Sequence, residues 1–181
     1  IKRLAEIGIE IYLHCFEYGR ESAIELNQYC KKVWYYKRNT GISGFSVTQP
    51  YIVSSRKNSE LLKNLKEIDA PILFEGIHTC VYLTNESLKN RFKAVRTHNI
   101  EYQYYHELFT KEKNYLKKIY FYIESILLKK FEKNTDAKLV VKKALQEEIS
   151  STGFHWLYDL KSMLKNNGKT QMTMPFNINF Q

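Results

Sequence analysis

Glycine (7 residues) and proline (3) are scarce in this 181-residue chain, which excludes collagen-like, linker-rich and low-complexity classes. Cysteine is limited to Cys15, Cys30 and Cys80, far apart and odd in number. No CxxC pair occurs, so neither a zinc knuckle nor a disulfide framework is indicated, and a reduced, intracellular compartment is the natural reading. No stretch approaches the ~18–20 consecutive apolar residues that span a bilayer, and no long apolar run follows Ile1-Lys2-Arg3-Leu4 as it would in a signal peptide. GxSxG, GxxxxGKS/T and GxGxxG are missing too, as is any His/Cys/Asp/Glu cluster with metal spacing. Nucleophile-elbow, P-loop and dinucleotide chemistry are therefore not expected, nor is a metal or cofactor.

What is present is a globular composition, 44% hydrophobic and 14% aromatic with 14 Tyr. A chain of this length buries roughly 70% of its unfolded surface, enough for a core without staples. The 28 basic and 19 acidic residues leave a net charge of +9. The excess is even: 15 against 10 in residues 1–100, 13 against 9 in residues 101–181. Such a field favours anionic partners without choosing among phosphate ligands, nucleic acid and membrane.

Ile1, Leu4, Ala5 and Ile7 have helical spacing, and Gly8 stands where a helix ends. Ile9–Phe16, rich in β-branched and aromatic residues, predicts a strand. Glu21–Tyr29 predicts a helix, Lys32–Tyr36 a strand, and Asn39–Gly44 a loop. Leu61, Leu62, Leu65 and Ile68 put one apolar face on a helix over Ser59–Ile68. Ala70–Gly76 predicts a third strand, Leu83–Leu88 a short helix capped by Thr84 or Asn85, and Phe92–Thr97 a fourth strand. Helix and strand alternate, which argues for a parallel sheet wrapped by helices. Helix continues from Glu101 to about Asn134, with a break near Thr110 where Thr110-Lys111-Glu112 can cap a new start. Leu116, Ile119, Ile123, Ile126, Leu127 and Phe131 keep its helical period. Ala137–Ile149 and Phe154–Leu164 predict two more helices, and Gln171–Gln181, with Pro175, an edge strand or a loose tail.

Ligands of open parallel sheets bind at the carboxyl ends of the strands. His78 follows the strand ending at Gly76, and His98 ends the next strand, before Asn99, Glu101 and Tyr102. If those strands are neighbours, both imidazoles face one crevice, and the amides opening the following helix point into it, which suits a hydroxyl-rich or phosphate-bearing ligand. The competing readings are as physical: each His bonding a loop backbone, Asn99 serving as an ordinary cap, and the nearby tyrosines packing. His14 and Cys15 lie inside a strand and read as core. Lys111–Lys133 carries seven Lys against three Glu, a solvated face by default and a contact with anionic headgroups in the alternative.

Ile1-Lys2-Arg3-Leu4-Ala5-Glu6-Ile7-Gly8-Ile9-Glu10-Ile11 resembles the L-x-x-L-A-x-x-G-H-E-V step that closes the first helix and opens the second strand of GT-B glycosyltransferases. Ile72 through Thr79, Arg96 through Tyr102, Tyr120 through Glu124 and Phe131-Glu132-Lys133 resemble the amino-terminal domain of bacterial retaining family 4 (group 1) members. The resemblance covers about three quarters of the chain, and its most specific piece is His98-Asn99-Ile100-Glu101 after a strand. It implies a Rossmann-like acceptor-side domain over residues 1–134, incomplete at its start because the first strand is missing. Residues 135–181 would be a helical extension and tail.

By the same resemblance, the nucleotide-sugar donor sits on a second, C-terminal domain that this chain lacks. Transfer to a glycan or lipid-linked acceptor, in polysaccharide or glycolipid assembly, then occurs in the cleft with retention and without a metal. His98 would be the catalytic residue at the cleft floor. His78, Thr79, Asn99, Glu101 and Tyr102 would bind substrate. This chain alone is expected to be inactive. The expected setting is cytoplasmic, with peripheral contact at the inner face of the plasma membrane through Lys111–Lys133. The alternative is a non-catalytic basic module for an anionic membrane, nucleic acid or a partner subunit. Nucleic acid is disfavoured by the even charge and by the lack of RNP, KH or helix-turn-helix signatures. A partner, or a second copy, would pair with the sheet edge left by the missing strand.

Overall fold

Alternation along β1 (Glu10–Phe16) sends Ile11, Leu13 and Cys15 to one side and His14 and Phe16 to the other, and all five are buried. Burial on both faces is the mark of a parallel strand covered by helices on each side. In the computed structural model, which describes residues 1–17, 23–97, 100–136 and 171–177, β1 is one of five strands in a single parallel sheet. The others are β2 (Lys32–Tyr36), β3 (Ile72–Glu75), β4 (Lys93–Arg96) and β5 (Gln171–Asn177), in the order β2-β1-β5-β3-β4. The fold is thus an α/β, Rossmann-like sheet flanked by helices, as the alternation predicts.

One face of the sheet packs Ile11, Leu13, Cys15, Leu73, Ala94, Met172 and Met174 against Leu4 of α1 (Lys2–Glu6) and against Leu26. Gly8, at φ +83°, turns the chain from α1 into β1, a conformation that residues with a Cβ rarely adopt. The opposite face packs Phe16, Tyr36, Ile72, Phe74 and Val95 under Leu61 and Leu65 of α3 (Ser59–Glu67) and under Ile77, Cys80 and Tyr82. α3 begins where Asn58 accepts from the amides of Glu60 and Leu61, an N-cap of the ordinary kind. A short α2 (Tyr51–Ser54) precedes it, unread from the sequence.

Several expectations change. Glu21–Tyr29 is a 3₁₀ turn over Ile24–Gln28 rather than an α-helix, and residues 21–22 lie outside the description. Of the two candidate caps before Leu88, Asn85 is the one used, accepting from Ser87 N at 3.0 Å. The helical break falls after Lys111, between α4 (Glu101–Lys111) and α5 (Tyr115–Asp136). Thr110 cannot cap it, because its hydroxyl donates back to Glu107 O at 2.8 Å; Asn114 caps α5 by accepting from Lys117 N at 3.1 Å. The helices expected at 137–149 and 154–164 lie outside the described residues.

The largest correction concerns the tail. Residues 171–177 form neither an edge strand nor a loose end but the central strand, paired along its whole length with β1 and at Ile72↔Thr173 with β3. Proline in a central strand removes a ladder donor, which is why an edge was expected. Thr173 N donates toward β3, to Pro71 O at 2.8 Å. Pro175, two residues on, therefore turns its donorless nitrogen to that same side, where the pairing with β3 has already ended. The ladder to β1 is untouched. β5 thus makes the sheet continuous between β1 and β3.

Met172 is buried at the centre of this arrangement. Met172→Ala should cost about 2–5 kcal/mol of stability, measured by urea unfolding; a loss below about 1 kcal/mol would mean that β5 does not occupy the centre of the sheet.

Candidate functional site

The strand order reverses at β5, since the chain steps outward through β1 and β2 on one side and through β3 and β4 on the other. Crevices at the carboxyl ends of strands form at such a switch point. β3 and β4 are neighbours in register, Glu75 opposite Arg96, so the condition for His78 and His98 to follow adjacent strand ends is met.

Glu75 and Arg96 close those two strands as a charge pair. Arg96 Nε donates to Glu75 Oε1 at 2.8 Å, and its Nη2 reaches the same oxygen. Glu75 is buried, whereas the arginine is partly open to solvent. A buried carboxylate of this kind needs its partner, and removing either one leaves an uncompensated charge. Gly76 follows with φ +87°, and its amide donates to Arg96 O at 2.7 Å. A Cβ built on Gly76 would lie 2.4 Å from His78 Cε1 and 2.8 Å from its Nδ1. Gly76 thus does two things: it makes the turn, and it provides the surface on which the His78 ring rests.

The 3₁₀ turn Ile77–Tyr82 holds that ring in place. Thr79 is fully buried, with its amide and hydroxyl both donating to Gly76 O, at 3.1 and 2.9 Å. Its hydroxyl is committed to the turn, so what Thr79 supplies is the position of His78. Cys80 Sγ lies 3.7 Å from the same carbonyl, and burial pushes its thiol up, far from thiolate character. Burial likewise holds Cys15 up at about 12. Neither cysteine is a nucleophile. His98 and Asn99 lie outside the described residues.

Glu101 and Tyr102 open α4, where free amides were expected to face a ligand. Instead Tyr102 N donates to Glu132 Oε1 of α5 at 3.3 Å, and Ile100, at the cap position, supplies no side-chain bond. The same device recurs two helical turns earlier. Tyr51 N, opening α2, donates to both oxygens of Glu124, at 3.0 and 2.9 Å. α5 therefore places two buried carboxylates, Glu124 and Glu132, at the amino ends of two other helices, where the partial positive charge is greatest. Burial outweighs the Tyr51 bond and pushes the Glu124 carboxyl up to about 7.

The sequence missed three features. Arg38, just beyond β2, is half-buried and donates to Ser55 Oγ at 2.8 Å. Arg56, almost fully buried, stands 5.8 Å from the ring of Phe16, the last residue of β1. With Arg96, they make the carboxyl edge basic. The third is Glu75 itself, whose signal was available: a lone acid closing an otherwise apolar strand, matched by a lone Arg closing the next. A shallow depression along α3 is lined by Ser59, Leu62, Lys63, Lys66 and Glu67, and none of the residues at the strand ends takes part in it.

His14 is core, as expected. Its ring stacks on Trp34 at 4.6 Å between centroids, and Tyr36 Oη lies 2.9 Å from its Nδ1. Asn64 Nδ2 donates to that hydroxyl at 2.7 Å, so His14, Tyr36 and Asn64 form a buried hydrogen-bonded chain. Burial lowers the His14 pKa to about 3.

Fold and site together define a Rossmann-like α/β protein with Arg38, Arg56 and the Glu75–Arg96 pair near the carboxyl edge of its sheet. The chain is 30% identical over 116 residues to an uncharacterized 44.6 kDa protein in the cps region of Klebsiella pneumoniae; the match takes in 62% of this chain and 30% of that protein. The chain thus corresponds to less than a third of that relative's length. No family model matches the chain, and no solved structure matches it significantly.

Two outcomes follow. Gly76→Ala should destabilise the fold by about 1–2 kcal/mol from its backbone alone, and more from the displaced ring. Combining it with His78→Ala should recover the ring part, giving a non-additive cycle; strict additivity would show that the ring does not rest on Gly76. The second concerns Glu124. Between about 4.5 and 7 the native carboxyl holds a proton that the unfolded chain has released, so its contribution is full below that window and is lost as pH rises through 7. Glu124→Gln, which stays neutral and still accepts from Tyr51, should gain on the wild type by on the order of 2 kcal/mol between pH 5 and 8. Parallel stability curves across that range would refute the assignment.

Proposed function

We propose that this chain is the acceptor-side part of a sugar-nucleotide-dependent glycosyltransferase of polysaccharide or lipid-linked glycan assembly. The observation that carries the reading is the carboxyl edge at the switch point, where the Glu75–Arg96 pair and Gly76 present His78 beside the strand that leads to His98. The relative from a cps region, a capsule polysaccharide locus, is consistent with that setting. The family 4 resemblance supplies the reaction class, and a parallel sheet of this topology is one half of what such an enzyme needs.

In this reading His98 lies where the transferred sugar meets the acceptor hydroxyl. There an imidazole hydrogen-bonds sugar hydroxyls and favours the positive charge that develops on an oxocarbenium-like transition state. His78, braced by Gly76 and Thr79, lines the acceptor side. Arg38 and Arg96 favour phosphate-bearing ligands at the same edge, as a lipid-linked acceptor would be. Glu101 and Tyr102 stand at the start of α4, and with the Tyr102 amide held by Glu132 they contribute side chains rather than a helix-end anion site. The donor nucleotide belongs to a second domain, and no cofactor is required.

The test is turnover by the full-length parent protein across a panel of UDP-, GDP- and dTDP-sugars. Transfer from one donor is expected, falling at least about tenfold in His98→Ala, the scale of a lost acid–base or hydrogen-bonding group, with thermal stability retained. Undiminished turnover in His98→Ala would sink the site assignment, and silence from folded parent protein across the panel would sink the enzyme class.

A further inference from the structure

The apolar period of α5 points the wrong way for a core helix. Leu116, Ile119, Ile123 and Ile126, which the sequence pattern would bury, are 77, 40, 47 and 51% exposed, joined by Tyr115 at 75% and Tyr122 at 47%. The side turned inward carries Glu124, Ser125, Leu128, Glu132 and Thr135. The inversion has a cause already described: α5 turns its carboxylates inward to reach the amides of Tyr51 and Tyr102. At 3.6 residues per turn, that choice forces the isoleucines out. Tyr104 of α4 adds a further exposed ring, at 55%.

Charge separates in the same way. Lys117, Lys129, Lys130 and Lys133 of α5 are exposed, and Lys118 is half-buried with its ammonium 5.3 Å from the Phe109 ring. Among the described side chains of α5 no carboxylate faces outward, because Glu124 and Glu132 are both buried. By helical phase, Lys118 and Lys129 lie on one side of the apolar stripe, over the Phe109 and Tyr102 rings of α4, while Lys130 and Lys133 continue the stripe at its carboxyl end. The helix is 22 residues long, and among the described residues no helix is long and apolar enough to cross a membrane.

We propose that α5 is a docking surface for an anionic lipid bilayer, lying in the plane of the interface with the Leu116–Ile126 stripe among the acyl chains and its lysines at the headgroups. Three features select this occupant. An outward face that carries lysines and, among the described side chains of α5, no acid complements anionic lipid. Tyrosines edging an aliphatic stripe suit the boundary between headgroup and hydrocarbon. A protein interface of comparable apolarity is depleted in lysine at its core. The inference stands on the exposure and charge of α5 and does not require that the protein transfer sugars.

The experiment is flotation of the full chain with vesicles of phosphatidylcholine alone and of phosphatidylcholine mixed with phosphatidylglycerol, at low and raised salt. Binding is expected to the mixed vesicles, to weaken as salt rises, and to be much lower on phosphatidylcholine. Reversing Lys129, Lys130 and Lys133 to Glu should cut it at least about tenfold. Leu116→Asn with Ile123→Asn, both on the exposed face, should abolish the part that survives salt. Circular dichroism melting of both variants should match the wild type. Equal binding to both vesicle types, or variants that float like the wild type, would overturn the proposal. So would a wild-type dimer that the Leu116/Ile123 variant dissociates without loss of flotation, since a second copy would then cover the stripe.

Discussion

Everything in this fold hangs on β5. Among the described residues, β1 and β2 form one parallel pair, β3 and β4 another, and the strand that joins them is 171–177. Its Met172 and Met174 complete one core, while Thr173 ties to Pro71 and so to β3. The sheet is therefore assembled across more than ninety residues of sequence between β3 and β5, a pairing that forms only after costly loop closure. The switch point at the carboxyl edge exists because this strand sits between the two pairs.

The second organising feature is electrostatic. Glu124 and Glu132 each meet the amino end of another helix, and in doing so fix the rotation of α5 about its own axis. A buried carboxylate costs stability unless hydrogen-bonded or neutral. Glu124 uses both remedies, with its bonds to Tyr51 and its raised pKa. The opposite tendency of His14, held neutral by burial, takes stability away as pH falls below its ordinary value of about 6.5. The two titrations oppose each other in sign. They act at different places: Glu124 on the seating of α5 against α2, and His14 on the Trp34–Tyr36 stack beneath α3.

At the strand ends, the chemistry depends on fit. Gly76 gives the His78 ring the space a Cβ would occupy, and Glu75 holds Arg96 at the rim of the same edge. Thr79 spends its hydroxyl on the turn. The His78 ring is thereby held by rigid neighbours, as the proposed acceptor-side role requires.

Local pattern was enough to read β1 to β4, α3 and the Gly8 and Gly76 turns, because each is encoded by residues adjacent in sequence: alternating apolar side chains, an Asn58 cap, a glycine where φ turns positive. The same pattern placed His78 beyond the end of a strand. It did not reveal β5, since Pro175 argues for an edge unless one knows that its nitrogen faces the side where pairing has stopped. Nor did it reveal that Glu132 occupies the start of α4, or which face of α5 is inside. Apolar periodicity says that a helix has two faces, and a buried acid with a backbone partner decides which one turns inward. Those partners, Tyr51 and Tyr102, lie 73 and 30 residues away. Only the tertiary structure brings them together, because hydrogen-bond satisfaction of a buried charge is a property of neighbours in space and leaves no period in the sequence.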